Sequence, residues 1–267
     1  MKNETQTKMK NVVITGAYGG MGYAAAKALA ERGYTVFALD KQVRDAEERV
    51  IPVEVDVTDA GSVARAFERV RAQAGEICAI IHFAGIYRLD SLVEMSEERF
   101  TQIFDVNVFG AYRINKAFLP LMKRGGRILL VTSELAPLSP LPFTGVYAVT
   151  KTALEHYAAA LRMETQLLGI GVSVIRPGAV NTGLLSDSQK ELDRFCDGTR
   201  LYRVNASRFR EIVNRTEAKN VPPEAVAKKV IRALEARCPK YVYIVNRNGL
   251  LRLLNALPAR WQAAMAS

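Results

Sequence analysis

The stretch NVVITGAYGGMGYAAAKALAERG, residues 11–33, contains the signals that decide the fold of this 267-residue chain. Its first residues form a short apolar run typical of a buried strand, and the alanine-rich segment after Gly22 has the composition of a helix. The glycines between them allow the backbone to turn tightly from a strand into a helix that packs on it. The stretch therefore predicts the first strand, turn and helix of a parallel α/β sheet.

Short apolar runs and helix-length amphipathic segments alternate along the rest of the chain. This alternation predicts an α/β Rossmann-type fold, a doubly wound sheet of about seven parallel strands with helices on both faces. Strands are expected at 11–15, 34–40, 51–57, 77–83, 127–132, 171–176 and 241–245, and helices at 20–32, 59–74, 96–106, 108–123, 147–168 and 223–237. The carboxyl ends of such strands meet at one edge of the sheet, where ligands bind.

Length and composition indicate a single domain, residues 1–267, with 49% apolar residues for its core. No apolar run approaches the roughly 18 residues of a membrane span, and the polar first residues do not resemble a signal peptide, so a cytoplasmic protein is expected. Three cysteines at unrelated spacings and two histidines indicate neither disulfides nor a metal site.

The net charge of +10 is concentrated in the last quarter of the chain. Residues 200–267 carry 14 basic and 4 acidic side chains, whereas residues 1–199 carry equal numbers of each. This segment could face an acidic partner or simply be a solvated basic surface. No nucleic-acid-binding motif accompanies it, so no nucleic acid partner is expected.

The glycine-rich turn is suited to a dinucleotide. Glycines 16, 20 and 22 would let the backbone approach a pyrophosphate, which the amino terminus of the following helix would face. Asp40, at the end of the second expected strand, would accept hydrogen bonds from the adenosine ribose and repel a 2′-phosphate. NAD is therefore the expected cofactor. NADP stays possible because Lys41 and Arg44 are cations close to Asp40.

Tyr147 and Lys151 lie four residues apart in an expected helix and project from the same face. An ammonium within about 4–6 Å of a phenol favours the phenolate, so Lys151 is expected to lower the pKa of Tyr147 and make it an acid/base group. Taken alone, such a pair is more often a surface feature of a helix.

Several motifs, in order and across most of the chain, resemble the short-chain dehydrogenase/reductase family. They are the TG-x3-G-x-G loop at Thr15, Asp56-Val57, Ala84-Gly85, Asn107, Ser133, Tyr147-x3-Lys151 and Pro177-Gly178-x-Val180-x-Thr182. The resemblance implies a nicotinamide cofactor and a catalytic tetrad of Asn107, Ser133, Tyr147 and Lys151. It also implies that Ser133 holds the substrate oxygen, that Lys151 contacts the nicotinamide ribose and that Asn107 supports a proton relay. The cofactor-binding residues expected from the loop and the resemblance are Gly16, Tyr18, Gly19, Gly20, Met21, Gly22, Asp40, Lys41, Asp56, Val57, Phe83, Ala84, Gly85, Tyr147, Lys151, Pro177, Gly178, Val180 and Thr182.

Two features depart from the family pattern. His82 and Phe83 stand where the family usually has two asparagines before Ala-Gly, which puts the local geometry in doubt. Tyr147 follows Ser133 by 14 positions, one more than the commoner spacing. The proline-rich loop between them could absorb the extra residue, and Ser139 is a less favoured alternative to Ser133.

Residues 183–216 match the place of the family's substrate lid, and apolar side chains there suggest a bulky apolar substrate. Candidate pocket residues are Leu184, Leu185, Phe195, Leu201, Tyr202 and Phe209, with Leu141, Phe143 and Val146 opposite. These side chains could equally pack the lid onto the core.

The tail at about 247–267 resembles in outline the ends of hydroxysteroid- and retinol-type members. It could lie on a membrane surface, although packing on its own domain or a second subunit is favoured.

The sequence thus predicts an NAD(P)-dependent oxidoreductase that interconverts an alcohol and its carbonyl on a hydroxysteroid- or retinoid-like substrate, with NAD preferred. A β-ketoacyl or quinone-like reductase of the same family is the first alternative. A dinucleotide-binding regulatory protein without turnover is the second. The resemblance also implies a homodimer or homotetramer.

Overall fold

Seven parallel strands form the sheet that organises the molecule. The structure is a computed structural model and describes residues 10–139, 141–215, 220–249 and 255. Within these residues the strands are β1 (Asn11–Thr15), β2 (Thr35–Asp40), β3 (Val50–Glu54), β4 (Ile77–His82), β5 (Met122–Val131), β6 (Gly171–Pro177) and β7 (Val242–Val245). Their order is β3-β2-β1-β4-β5-β6-β7, with every neighbouring pair parallel. The strand order reverses between β1 and β4, and the Rossmann-type prediction is confirmed.

Helices connect the strands and cover both faces of the sheet. They are α1 (Gly20–Ala30), α2 (Ala60–Gln73), α3 (Glu97–Phe104), α4 (Gly110–Phe118), α5 (Gly145–Thr165), α6 (Gly183–Gly198), α7 (Arg203–Arg215) and α8 (Glu224–Glu235). Local sequence explains several of their starts. Asp59, for example, accepts hydrogen bonds from the backbone N–H groups of Gly61 and Ser62 and thereby caps α2.

The core consists of two apolar layers, one on each face of the sheet. On one face α2, α4 and α5 pack against alternate strand residues such as Val13, Phe37 and Ile80. On the other face α1 and α8 pack against the residues between them, such as Val12 and Ile14. This alternation follows from the two-residue period of a strand and buries both faces of the sheet, as parallel sheets require.

Element boundaries differ most from the expected ones between residues 104 and 127. A π-helical turn, Asp105–Phe109, joins α3 to α4. A 3-10 turn, Leu119–Leu121, ends the helix expected at 108–123. Pro120 lies in that 3-10 turn, where its missing N–H prevents continuation of the α-helical bonding. β5 therefore begins at Met122, earlier than the expected 127.

Helices α6 and α7 occupy the region in which the sequence predicts a substrate lid. Most of the amphipathic tail expected at about 247–267 lies outside the described residues. In the part of the chain that the structure describes, no helix has both the length and the apolar character needed to cross a membrane.

Candidate active site

Glycine is required at two positions where the chain between β1 and α1 packs closely on its surroundings. Gly16 has a left-handed φ of 63°, and a Cβ there would lie 2.5 Å from the backbone nitrogen of Ala84. At Gly22 a Cβ would lie 2.1 Å from the carbonyl oxygen of Gly16. A side chain at Gly16 would therefore push the turn away from β4, and one at Gly22 would push α1 away from the turn. The turn leaves the amino terminus of α1 directed at the edge of the sheet, where a phosphate group can bind.

A cleft of about 960 Å³ opens along this edge, a size within the usual range for ligand sites. Its wall includes ten of the expected cofactor residues, namely Gly16, Tyr18, Gly19, Asp40, Lys41, Asp56, Val57, Phe83, Ala84 and Gly85. Gly20, Met21, Gly22, Tyr147, Lys151, Pro177, Gly178, Val180 and Thr182 are not part of this wall. The Thr182 side chain nevertheless lies against the turn, because a Cβ at Gly20 would be 2.7 Å from its Cγ2.

Asp40 lies at the end of β2, in the wall of this cleft. One carboxylate oxygen accepts a hydrogen bond from the Tyr18 N–H at 2.9 Å, and the other accepts one from the Lys41 N–H at 2.7 Å. These bonds hold the carboxylate in a defined orientation beside the glycine turn.

The two nearby cations are engaged with other groups. Lys41 Nζ contacts Asp56 at 2.8 Å, and this bond together with bonds from Thr58 lowers the pKa of Asp56 to about 2. The Arg44 guanidinium stacks over the rings of Tyr18 and Tyr23 and donates to the Tyr18 carbonyl. Sequence reasoning did not assign Arg44 to the wall of the cleft, although it noted its charge.

Asn107 lies in the π-helical turn and is 1% exposed. Its side chain accepts a hydrogen bond from the Ile86 N–H at 2.8 Å and donates to the Ile86 carbonyl at 3.0 Å. It also donates to the Thr150 hydroxyl at 3.1 Å. Asn107 thus links the segment after β4 to the helix that carries Tyr147, and its side chain does not cap a helix.

Ser133, Tyr147 and Lys151 come together at the end of β5. Ser133 follows that strand, Tyr147 and Lys151 lie in the first turns of α5, and all three are no more than 7% exposed. The Ser133 hydroxyl accepts a hydrogen bond from the Leu135 N–H at 3.2 Å and lies near enough to the Tyr147 phenol to influence its pKa. Lys151 Nζ lies 3.4 Å from the position of a Cβ on Gly85, so this group adjoins the cleft wall. Ser139, the alternative to Ser133, is exposed.

The electrostatic expectation for Tyr147 was wrong in its sign. Burial raises the pKa of Tyr147 to about 12, against a smaller lowering by the neighbouring Ser133 hydroxyl. Burial also lowers the pKa of Lys151 to about 8. Lys151 Nζ lies 5.7 Å from the centre of the tyrosine ring and donates to the Val131 carbonyl at 3.2 Å. Desolvation is therefore the dominant effect on the pKa values of both groups in this arrangement.

His82, one of the two residues that depart from the family pattern, lies at the end of β4. Its Nε2 lies 2.8 Å from Asn115 Oδ1, and Asn115 Nδ2 donates to the Tyr157 hydroxyl at 3.0 Å. Burial lowers the pKa of His82 to about 4, although the bond to Asn115 opposes this shift. A buried chain of three polar groups thus ties the end of β4 to α4 and α5.

Four of the nine expected pocket residues pack together in an aromatic cluster that includes residues of α6 and α7. The Phe143 ring lies 4.4 Å from that of Phe195 and 5.2 Å from those of Tyr202 and Phe209, measured between ring centres. Leu141, Leu185 and Leu201 are exposed, Leu184 is half-buried, and Val146 is buried beside Tyr147. Tyr87, which sequence reasoning missed, places its ring 4.8 Å from that of Tyr147.

Five charged side chains, here called the lid network, join α6 to α3 and to the segment between β4 and α3. Glu191 on α6 pairs with Arg88 at 3.3 Å and with Arg99 at 2.7 Å. Arg194 on α6 pairs with Asp90 at 2.7 Å. The side chains of Asp90 and Glu191 are 9% and 12% exposed, so the two carboxylates are largely shielded from water, whereas the Arg194 side chain is 42% exposed. No group of three potential metal ligands occurs among the described residues.

The chain is similar to several known dehydrogenases and reductases. Residues 10–193 match the family model described as short chain dehydrogenase. The chain is 31% identical to estradiol 17-beta-dehydrogenase 2 of Mus musculus, over 91% of this chain and 69% of that protein. It is 27% identical to 3-ketodihydrosphingosine reductase of Bacteroides thetaiotaomicron, over 86% of this chain and 85% of that protein. An alcohol dehydrogenase of Thermococcus sibiricus, solved with 5-hydroxy-NADP, is 26% identical and superposes with a TM-score of 0.70, over 89% of this chain and 96% of that chain.

Proposed function

We propose that this chain, which belongs to the short-chain dehydrogenase family, interconverts an alcohol and its carbonyl on a bulky apolar substrate and uses NAD(H) in preference to NADP(H). The proposal rests on one observation: the side chains of Ser133, Tyr147 and Lys151 are buried close together, next to Gly85 in the cleft wall. An acid/base phenol and a hydroxyl donor placed beside a dinucleotide-sized cleft suit hydride transfer at a carbon that bears oxygen.

The residues present fit a nicotinamide dinucleotide. The glycine turn would receive its pyrophosphate, Asp40 its adenosine ribose, and the segment from Pro177 to Thr182 its nicotinamide. When bound, the cofactor supplies or accepts the hydride.

The chain's own groups handle the substrate oxygen and its proton. Ser133 Oγ would donate a hydrogen bond to that oxygen, which is polar stabilisation arranged before the reaction. Tyr147 Oη would donate the proton during reduction and accept it during oxidation. The phenol is protonated at neutral pH, which is the form that donates a proton during reduction. Lys151 Nζ, adjacent to Gly85, would support proton movement through a change in its own protonation.

The proposed preference for NAD rests on the charged residues at the end of β2. The Asp40 carboxylate is held by two backbone N–H groups, and a negative charge there opposes a 2′-phosphate. Lys41, the cation best placed to offset that charge, is paired with Asp56 instead.

The substrate class rests on the surroundings of Tyr147. Its ring packs with Ile103 and Val146, and Ile86, Tyr87 and Met95 lie against the same cluster. Such an apolar environment suits a ring system or long chain better than a sugar. Two relatives, named for estradiol and for 3-ketodihydrosphingosine, act on molecules of this apolar kind.

Exposed apolar side chains on α4 and α5 favour a homodimer. Phe109, at the end of the π-helical turn, and Tyr112 on α4 are 49% and 46% exposed, and Val149 on α5 is 42% exposed. Exposed large apolar side chains on neighbouring helices favour association with a second copy. Sedimentation velocity of the native chain and of Tyr112→Glu should give a dimer and a monomer, respectively.

The experiment for the activity follows the absorbance of reduced nicotinamide with each cofactor and four substrates: a ketosteroid, a long-chain 3-ketoamine, an aldohexose and a β-ketoacyl thioester. Turnover of one of the first two, faster with NADH than with NADPH, is the expected result. Turnover of the thioester alone would establish the alternative reductase. Dinucleotide binding without turnover of any substrate would favour the regulatory alternative.

A further inference from the structure

Glu134 directly follows Ser133 and lies where the ends of β5, β6 and β7 meet. Its backbone N–H donates to the carbonyl of Pro177, the last residue of β6, at 2.9 Å. Its side-chain Oε2 accepts a hydrogen bond from the backbone N–H of Asn248, just beyond β7, at 2.8 Å. One residue therefore connects the catalytic serine to the two segments that follow the neighbouring strands.

The backbone around Gly178 is built closely against this carboxylate. A Cβ at Gly178 would lie 2.7 Å from Glu134 Oε1 and 2.0 Å from the Asn246 carbonyl oxygen. Asn246 has a left-handed φ of 52°, and its side chain donates to the Ala179 carbonyl at 2.7 Å. The chain after β7 is thus attached both to Glu134 and to the segment that begins at Pro177.

That segment ends at the glycine turn. Thr182 closes it, and its methyl group lies against Gly20, as described above. A displacement of Pro177 or Gly178 would therefore move Thr182 relative to both the turn and Ser133. The nicotinamide end of a dinucleotide would be affected, whereas its adenosine end, at Asp40, would not.

We propose, on the basis of the proposed function, that Glu134 is a positioning residue for the nicotinamide: it holds the segment Pro177–Thr182 in register with Ser133. Its carboxylate does this by binding the Asn248 amide and packing against Gly178.

The physical chemistry of Glu134 distinguishes this role from a purely stabilising one. Burial raises its pKa, against smaller lowering effects of the Asn248 bond and of the Arg247 charge. A carboxylate with a raised pKa in the folded protein destabilises the fold above its ordinary pKa, because the charged form is the disfavoured one. Replacing it with neutral glutamine should therefore leave stability equal or higher at neutral pH, while the weaker bond to Asn248 loosens the segment.

The test compares the affinities of NADH and ADP-ribose, which lacks the nicotinamide, by isothermal titration calorimetry. For Glu134→Ala we expect NADH to bind about tenfold more weakly, the effect of one lost hydrogen bond to a charged group, while ADP-ribose binding stays within about twofold of wild type. For Glu134→Gln we expect the affinity for NADH to fall about threefold and the unfolding temperature to be no lower than that of wild type. This second variant keeps the test valid should the alanine variant fail to fold.

The matched control is Glu94→Ala, which removes a carboxylate that accepts hydrogen bonds from the backbone N–H groups of Arg200 and Leu201 in the lid. It should change neither affinity. Equal weakening of both ligands by Glu134→Ala, or no weakening of NADH in both Glu134 variants, would overturn the inference. Failure of the wild-type protein to bind either ligand would instead refute the proposed function.

Discussion

Replacing His82 with asparagine should make the stability of this protein less sensitive to acid. His82 is fully buried with a pKa near 4, whereas a histidine in an unfolded chain has a pKa near 6.5. Between these values the unfolded chain binds a proton that the folded protein excludes. Stability is therefore lost as the pH falls through this window and is retained above it.

The two pKa values give the size of the effect. Proton linkage predicts that His82 changes the unfolding free energy little at pH 7, lowers it by ~2 kcal/mol at pH 5 and lowers it by ~3 kcal/mol at pH 4. The free energy of unfolding of a folded protein is typically about 5–15 kcal/mol, so a change of this size at pH 5 is readily measured.

Urea unfolding of wild type and His82→Asn at pH 7, 6 and 5 measures the difference. Asparagine does not titrate in this range, and its amide can still hydrogen-bond to Asn115. His156→Asn is the control, because that histidine is exposed on α5. The loss of stability between pH 7 and 5 should be ~2 kcal/mol smaller in His82→Asn than in wild type and His156→Asn. An equal loss in all three proteins would refute the reasoning.

Three further outcomes are expected. Tyr147→Phe removes only a hydroxyl and should abolish nearly all turnover while dinucleotide affinity stays unchanged; steady-state kinetics with calorimetry checks this, and comparable turnover would contradict the assigned role. Asp40→Asn should weaken NADH binding about tenfold and strengthen NADPH binding, since the charge is lost with little change in size; an unchanged ratio of the two affinities would contradict the NAD preference. Glu191→Gln weakens the lid network and should speed amide hydrogen exchange in α6 but not in β4 or β5; uniform exchange changes across the chain would argue against a local role.

The sheet and the dinucleotide edge could be predicted because their signals are local. A glycine turn between an apolar strand and an alanine-rich helix spans only residues 11–33, and Asp40 is recognised by its place at a strand end. Likewise, the spacing of Tyr147 and Lys151 is enough to place both on one helix face. Such patterns depend on backbone geometry within a few residues, which the order of amino acids determines directly.

Interactions between residues far apart in the chain could not be predicted. The pairing of Lys41 with Asp56, the bond from Asn248 to Glu134 and the contact of Tyr87 with Tyr147 join positions that meet only after the strands are ordered. The expected depression of the Tyr147 pKa failed for the same reason, since desolvation depends on every group packed around the phenol. Sequence by itself determined the α/β architecture and the order of the candidate site residues along it, because these follow from periodicity and local geometry. Tertiary structure alone decided the protonation of those residues and the contacts that hold them, because burial and long-range pairing are properties of the packed chain.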